Sequence, residues 1–118
     1  MSGFEQLVYW QKARQLSKEI YVLSASFPKS EQYGLTQQIR RAAVSISSNI
    51  AGGYGRQYRS EYVRFLNIAR GSSYEVESQL ILCIDLGYLT EKQARKPMQL
   101  CTEIGKMLNA AIQTLESK

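Results

Sequence analysis

Residues 37–80, QQIRRAAVSISSNIAGGYGRQYRSEYVRFLNIARGSSYEVESQL, decide the fold of this chain. They carry most of two stripes of mainly apolar and small residues spaced alternately three and four apart, the period of a helix buried along one side. A glycine-rich turn separates the stripes, so the pattern predicts two helices joined by a short connection. The first stripe is Leu35, Ile39, Ala42, Ile46, Asn49 and Gly53, and the second is Tyr62, Leu66, Ala69, Ser73, Val76, Leu80 and Cys83.

Two further amphipathic helices flank this pair. Residues 6–27 carry an apolar stripe that Pro28 terminates, and a fourth stripe runs from Cys101 to Leu115. The sequence contains no repeat and no linker long enough to divide it. We therefore predict an all-α, antiparallel up-down-up-down four-helix bundle that forms a single domain over residues 1–118.

Several residues predict where the helices begin and end. Serine favours the N-cap, glycine favours the position after the last helical turn, and Thr followed three residues later by Gln is typical of a capping box. Pro97 follows the start of the fourth helix too late for its first turn and predicts a kink or a short separate turn. The predicted boundary residues are Ser30 and Ser60 as N-caps, Gly87 as a C-cap, and Thr90 with Gln93 as a capping box.

The composition argues against an enzyme. The chain has no His, so Ser-His-Asp catalysis, imidazole bases and His-containing zinc sites are all excluded. Cys83 and Cys101 fall on apolar stripes, which favours buried reduced thiols over a disulfide or redox pair. The GGYG segment lacks the lysine and the preceding strand of a phosphate-binding loop. We expect no catalytic residue, no metal and no cofactor.

The sequence also lacks membrane signals. No apolar run approaches the roughly 18 residues that a membrane span needs. The first residues, MSGFEQLVYWQKARQL, contain no continuous apolar segment of the kind found in secretion signals. We expect a soluble, cytoplasmic protein without a membrane partner.

The excess positive charge is concentrated on the central helix pair. The net charge is +5, and residues 40–70 contain six Arg and one acidic residue, Glu61. The rest of the chain is neutral overall. Because Arg pairs with phosphate or carboxylate through two parallel hydrogen bonds, this bias favours either a polyanionic partner or internal pairing with Glu.

The turn between the two central helices is the best candidate for nucleic-acid contact. Arg supplies phosphate pairing, Tyr supplies a stacking surface, and glycine lets a backbone approach closely. The alternative is an ordinary solvated turn, and the concentration of charge here favours a functional surface. The predicted contact residues are Tyr54, Arg56, Tyr58, Arg59, Arg64 and Arg70.

A second polar set has a structural interpretation. Antiparallel helices joined near residue 56 place Arg40 or Arg41 within reach of Glu75 or Glu77. An ion pair within or between subunits is favoured over ligand contact for these residues. Asn49 lies inside an apolar stripe, where a polar side chain needs a partner and tends to fix the register of packing.

Two strings resemble a known family. YGLTQQIRRAAVSISSNIA and FLNIARGSSYEVESQL resemble the signature helices of the 23S rRNA-intervening-sequence proteins, a bacterial family of four-helix bundles. VYWQKARQLSKEIYVLSASFP and IGKMLNAAIQTL are similar to its first and last helices, so the resemblance covers nearly the whole chain. It implies a fold more than an activity, because the role of the family is poorly defined.

The resemblance further implies self-assembly. The family, and the more distantly similar accessory variability determinant of diversity-generating retroelements, resemble ring-forming homopentamers, and the latter works with a reverse transcriptase and nucleic acid. Gly52 departs from the family pattern, because it stands where an Ala-Glu-Gly sequence has Glu. The loss of that carboxylate makes this corner more basic.

Two functions remain in competition at this point. The first is a non-catalytic homo-oligomer, pentameric by resemblance, that binds RNA or DNA through its basic surface with little sequence preference. The second is a structural or adaptor oligomer that binds an acidic protein partner, with Arg used in pairs between subunits. A contiguous exposed basic surface favours the first, and Arg side chains paired with Glu favour the second.

Overall fold

The protein is described from a computed structural model, which defines residues 3–118. It is built from helices joined by short connections, and the described residues include no strand. Single 3₁₀ turns at Phe4–Gln6 and Lys29–Glu31 precede the first two long helices. The long helices are α1 (Val8–Ser24), α2 (Leu35–Tyr54), α3 (Arg59–Asp85) and α4 (Glu91–Glu116).

The four helices form an elongated bundle with a square cross-section. Helix α1 packs on α2 and α4, helix α3 packs on the same two helices, and the backbones of diagonally opposite helices stay apart in the described residues. The molecule measures 46 × 24 × 22 Å, close to the roughly 40 Å length of the 27-residue α3. The predicted all-α four-helix bundle is confirmed.

The apolar stripes read from the sequence form the core. Most of their residues are buried, and together with Leu100 and Ile112 they make one cluster that all four helices share. Asn49 and Tyr62, which interrupt the stripes, are only partly buried. The largest fully buried apolar side chains are Leu16, Ile20, Ile39, Ile46, Ile50, Leu66, Val76, Leu80, Ile104 and Leu108.

The two serine N-caps are wrong. Ser30 lies in the 3₁₀ turn, and the carboxylate of Glu31 takes over its expected role by accepting a hydrogen bond from the Leu35 N–H at 3.1 Å. This bond, together with one from the Tyr88 hydroxyl at 2.8 Å, lowers the pKa of Glu31 from its ordinary 4.5. Ser60 already lies inside α3, which begins one residue earlier.

The first helix ends at Ser24, four residues before Pro28, so its predicted end is too late. The ends predicted at Gly87 and Thr90 are confirmed. Gly87 follows α3 with φ of +79°, and the N–H groups of Gly87 and Tyr88 donate to the carbonyls of Ile84 and Cys83. These two bonds define a Schellman motif, which needs the left-handed backbone that glycine adopts without strain. The Thr90 capping box is formed with both of its reciprocal hydrogen bonds.

Helix α4 runs without interruption through Pro97, so the predicted separate turn is wrong. Proline removes one backbone hydrogen bond from a helix interior. Two features compensate here, since the capping box fixes the first turn and the Pro97 ring is fully buried in the core. The burial of an apolar ring opposes the local loss.

Both cysteines are free thiols in the core, as the sequence predicts. Burial raises the pKa of Cys83 to about 11 and that of Cys101 to about 12. The reactive species of a cysteine is the thiolate, so these thiols are unreactive near neutral pH.

Candidate nucleic-acid interface

The end of α2 lies unusually close to the start of α3. A Cβ built on Gly53 would lie 2.6 Å from the Cβ of Phe65 and 3.1 Å from Cδ1 of Tyr62. Neighbouring Gly52 is less crowded, because its nearest contact would be Cε1 of Phe65 at 3.7 Å. Gly53 therefore permits the close approach of the two helices, which brings Phe65 to the surface of the corner.

Phe65 organises two of the predicted arginines. The guanidinium carbon of Arg56 lies 4.7 Å from the centroid of the Phe65 ring, and that of Arg64 lies 4.9 Å from it. Both arginines are exposed. Stacking on an aromatic face restricts each side chain while its N–H donors remain available, so two cations are held together on one apolar ring.

The tyrosines of the corner divide into two groups. Tyr58 is 62% exposed and Tyr54 is 43% exposed, so both present ring surface to solvent. Tyr54 also packs edge-on against Tyr62, with 6.1 Å between ring centroids. Tyr62 shares a 2.6 Å hydrogen bond with the hydroxyl of Tyr9, and burial together with this bond raises its pKa. Tyr62 therefore packs beneath the corner, whereas Tyr54 and Tyr58 form part of its exposed surface.

Arg59 is held at the far side of the same turn. Its Nη1 donates to the backbone carbonyl of Lys118 at 2.8 Å, which ties the start of α3 to the end of the described chain. An open groove of about 630 Å³ lies beside it, with Tyr58 and Leu115 in its walls and Glu116 as its one acidic lining residue. Arg59 remains exposed and retains further donors.

Arg70 does not join this surface. Its Nη1 donates to Oδ1 of Asn109 on α4 and its Nη2 to Oδ1 of Asn67, both at 2.7 Å. The side chain is partly buried in the seam between α3 and α4. The charge pattern of the sequence grouped Arg70 with the corner. In the structure, the Arg70 side chain points away from the corner and bridges α3 and α4.

Arg40 and Arg41 lie apart from Glu77. Arg40 Nε donates to Ser24 Oγ at 2.8 Å, and its guanidinium carbon lies 4.7 Å from the ring centroid of Tyr21. Arg41 is exposed and shares a shallow groove with Glu75 without forming an ion pair. The ion pairs within residues 3–118 are Lys12 with Glu103 and Lys96 with Glu19. No Arg–Glu pair forms inside this part of the chain.

Glu77 faces α4 instead. It lines a small pocket between α3 and α4 together with Cys101, where its charge contributes to the raised pKa of that thiol. The carboxylates of Glu75 and Glu77 therefore serve opposite sides of α3, as positions two apart on a helix require.

Asn49 contributes to a polar seam between α2 and α3. Its Nδ2 donates to the Ser45 carbonyl at 2.8 Å and lies 3.0 Å from the Ser45 hydroxyl, which pairs with the Ser72 hydroxyl at 2.9 Å. The pairing of Ser45 with Ser72 and of Gly53 with Phe65 places the centre of the hairpin slightly beyond residue 58. The expected centre at residue 56 is too early, because α2 continues through both glycines to Tyr54.

Sequence reasoning missed Phe65 and Ser72. The signal for the first was available, since a glycine on the buried side of a helix indicates that something large packs against it. Gly53 was placed in the first stripe, at the start of the glycine-rich turn, without a prediction of what packs against it. The Ser72 hydroxyl had no such signal, because serine in a helix usually bonds its own backbone.

Two structural features are absent from the described residues. No helix among residues 3–118 has the length and hydrophobicity that crossing a bilayer requires. The same residues contain no cluster of three or more His, Cys, Asp or Glu side chains placed to hold a metal ion.

The fold and the corner together define a four-helix-bundle protein with an exposed turn rich in Arg and Tyr. The chain belongs to the family described as 23S rRNA-intervening sequence protein, whose model matches residues 5–110. The resemblance inferred from the sequence is thereby confirmed.

A solved structure supports the same assignment. The chain is similar to a protein of unknown function from the S23 ribosomal protein family of Bacteroides thetaiotaomicron VPI-5482, with 29% identity and a TM-score of 0.83. The similarity covers 89% of this chain and 98% of that one. No protein with a curated description matches the chain.

Proposed function

We propose that the protein is a non-catalytic, cytoplasmic homo-oligomer that binds RNA or DNA through the corner between α2 and α3. The contacts are made by the basic corner, defined as Tyr54, Arg56, Tyr58, Arg59 and Arg64. Arg side chains pair with phosphates, and the exposed Tyr rings stack on unpaired bases. Binding depends on salt and discriminates weakly between sequences, because no element here resembles a base-reading motif.

One observation carries this proposal. All five residues of the basic corner are exposed, and four of them come from a single turn. None of the three arginines of the corner forms an ion pair within the described chain. Arg56 and Arg64 both pack against the Phe65 ring, which restricts the positions of two cations at the corner. Fixed donors lose less conformational entropy when they bind phosphate.

The alternative of an acidic protein partner is less well supported. It assigns the arginines to pairs with Glu, yet Arg40 contacts Ser24 and Tyr21 instead, and Arg70 contacts two Asn side chains. A pair between subunits, for which Arg41 and Glu75 are available, is compatible with either function.

Self-association is part of the proposal. Ile68 and Leu82 of α3, with Leu86 directly after this helix, are each between 41% and 49% exposed. Their spacings of 14 and 4 residues place them along one side of the helix, which we call the α3 apolar face, and exposed Glu75 lies between Ile68 and Leu82 on that side. Exposed apolar side chains aligned in this way favour a subunit interface. A closed ring, pentameric by resemblance, repeats the basic corner around its axis and strengthens its field.

The test is binding of the purified protein to fluorescent single- and double-stranded RNA and DNA across a salt series. We expect measurable affinity near 50 mM salt that falls linearly with the logarithm of salt concentration. An absence of binding to every one of these ligands at that concentration contradicts the proposal.

A further inference from the structure

A second groove lies away from the basic corner, between the C-terminal half of α1 and the N-terminal half of α2. Its volume is about 490 Å³, within the roughly 300–1,000 Å³ typical of small-ligand sites. Its lining includes no Asp or Glu. The lining residues include Tyr21, Tyr33, Thr36, Arg40 and Arg41.

Arg40 is fixed in the wall of this groove. Its Nε bond to Ser24, a long Nη2 bond to the Tyr21 carbonyl at 3.5 Å and its position over the Tyr21 ring hold the side chain in one direction, and its other three N–H donors form no hydrogen bond within residues 3–118. Arg41 follows it directly and is exposed without an ion pair in the described residues. Two guanidinium groups thus share one cavity whose lining has no carboxylate, and Glu75 lies in a separate groove on the other side of Arg41.

Thr36 belongs to the groove lining. It is only 8% exposed, and its hydroxyl oxygen has no hydrogen-bond partner and almost no solvent-accessible surface. Buried hydroxyl groups are normally satisfied, since leaving one unpaired is unfavourable. A ligand in the groove supplies this partner only after neighbouring side chains move and expose the hydroxyl.

Tyr33 adds a flat aromatic surface at the mouth. It is 82% exposed, more than any other large hydrophobic side chain described. Tyr33 lies in the turn that leads into α2, one residue before the helix is capped by Gly34. Its ring is therefore available to stack on an incoming planar group beside the two guanidiniums.

We propose that this groove binds one nucleotide unit of a single strand, with its phosphate on Arg40 and Arg41 and its unpaired base on Tyr33. The inference rests on the proposed function and specifies its substrate class, because stacking on Tyr33 requires a base that is free of a complementary strand. A duplex offers phosphates to the groove but no base face.

The position of the groove sets a length requirement. Arg41 and Gly55, at the edge of the basic corner, are 14 residues apart along α2, or about 21 Å. At the roughly 3.4 Å rise of a stacked strand, about six nucleotides span this distance, and a strand whose bases are unstacked onto Tyr rings needs fewer.

The experiment compares Tyr33→Ala with wild type in binding to fluorescent single-stranded RNA of 4 and 12 nucleotides and to a 12-base-pair duplex. We expect Tyr33→Ala to weaken 12-mer binding by at least fivefold, the lower end of a lost base–aromatic stack. Tyr33→Phe, which keeps the ring, and Tyr74→Ala, which removes an exposed tyrosine on α3, should both stay within twofold. Duplex affinity should not change.

Four results would overturn this inference. Equal loss of duplex and single-strand binding would assign Tyr33 a structural or charge-related role. If Tyr33→Ala keeps its affinity for the 12-mer while Arg56→Ala weakens 12-mer binding, the proposed function is supported and the groove is not part of the binding site. A Glu-rich peptide whose binding requires Tyr33, with RNA binding independent of Tyr33, would assign the groove to an acidic protein. If wild type binds no nucleic acid at all, both proposals fail together.

Discussion

Gly53 and Phe65 meet so closely that a Cβ on the glycine would lie 2.6 Å from the Cβ of the phenylalanine. This contact connects the fold to the proposed function. It sets the distance between α2 and α3 at the corner and thereby the position of the Phe65 ring. Because Arg56 and Arg64 both stack on that ring, the packing of a glycine determines where two cations stand.

The first prediction concerns the two glycines. Gly53→Ala should lower the free energy of unfolding by about 1–3 kcal/mol, because the added methyl group overlaps atoms near the backbone that cannot move freely. Gly52→Ala is the matched control and should be neutral or stabilising by up to about 1 kcal/mol, since it gains helix propensity without a clash. Urea denaturation measures both. Equal effects of the two substitutions would contradict the assigned packing.

The second prediction separates Arg70 from the corner. Arg70→Ala should destabilise the protein by about 1.5–3 kcal/mol, because it removes charge-assisted hydrogen bonds across the seam between α3 and α4. RNA affinity of the folded variant should remain within twofold of wild type. Arg64→Ala should behave in the opposite way, with little loss of stability and weaker RNA binding. The two variants lose the same charge, so a shared phenotype would show that charge alone matters.

Most of the fold followed from periodicity. Four stripes at spacings of three and four predicted four helices, and side chains such as Leu16, Ile46 and Leu108 lie where the stripes placed them. Helix ends determined by local hydrogen bonding were also predictable, as for the Thr90 capping box. Ser30 failed because Glu31, a longer side chain one residue later, reaches the helix start and competes for the same N–H.

The site was less predictable because its geometry depends on contacts between helices. The sequence identified Arg56 and Arg59 as candidates by their density in a glycine-rich turn. The charge pattern did not separate Arg64 from Arg70. These residues lie six positions apart on α3, so their side chains point in different directions, one toward the corner and the other toward α4. The contact of Arg40 with Ser24 was not predicted for the same reason, because Ser24 belongs to a different helix, and an ion pair of Arg40 or Arg41 between subunits stays a prediction.

The third prediction concerns acid sensitivity. The folded state lowers the pKa of Glu31 below its ordinary 4.5, so the ionised carboxylate stabilises the fold above that pH and the contribution is lost as pH falls below it. Glu31→Gln keeps hydrogen-bond acceptor capacity but cannot titrate. We expect the melting temperature of this variant to fall less between pH 6 and pH 3 than that of wild type. Parallel curves for the two proteins would contradict the role of Glu31.

The fourth prediction tests self-association. Leu82→Asp places a charge in the middle of the α3 apolar face and should shift the mass measured by sedimentation toward the monomer, since burying an unpaired carboxylate is unfavourable. Gln99→Asp, on the exposed side of α4, is the control and should leave the mass unchanged. A wild type that is already monomeric at micromolar concentration would contradict the proposed oligomer.

The central claim is that phosphates bind at the basic corner, and its most direct test is the salt dependence of RNA affinity in a double variant. Arg56→Ala with Arg59→Ala should weaken binding and reduce the slope of log affinity against log salt by about 1–2, as expected for the loss of two phosphate contacts. The control is Lys92→Ala with Arg95→Ala on α4, which removes the same charge from exposed positions elsewhere. The account predicts an unchanged slope for the control. Equal reductions in both double variants, or no reduction in the first, would contradict it.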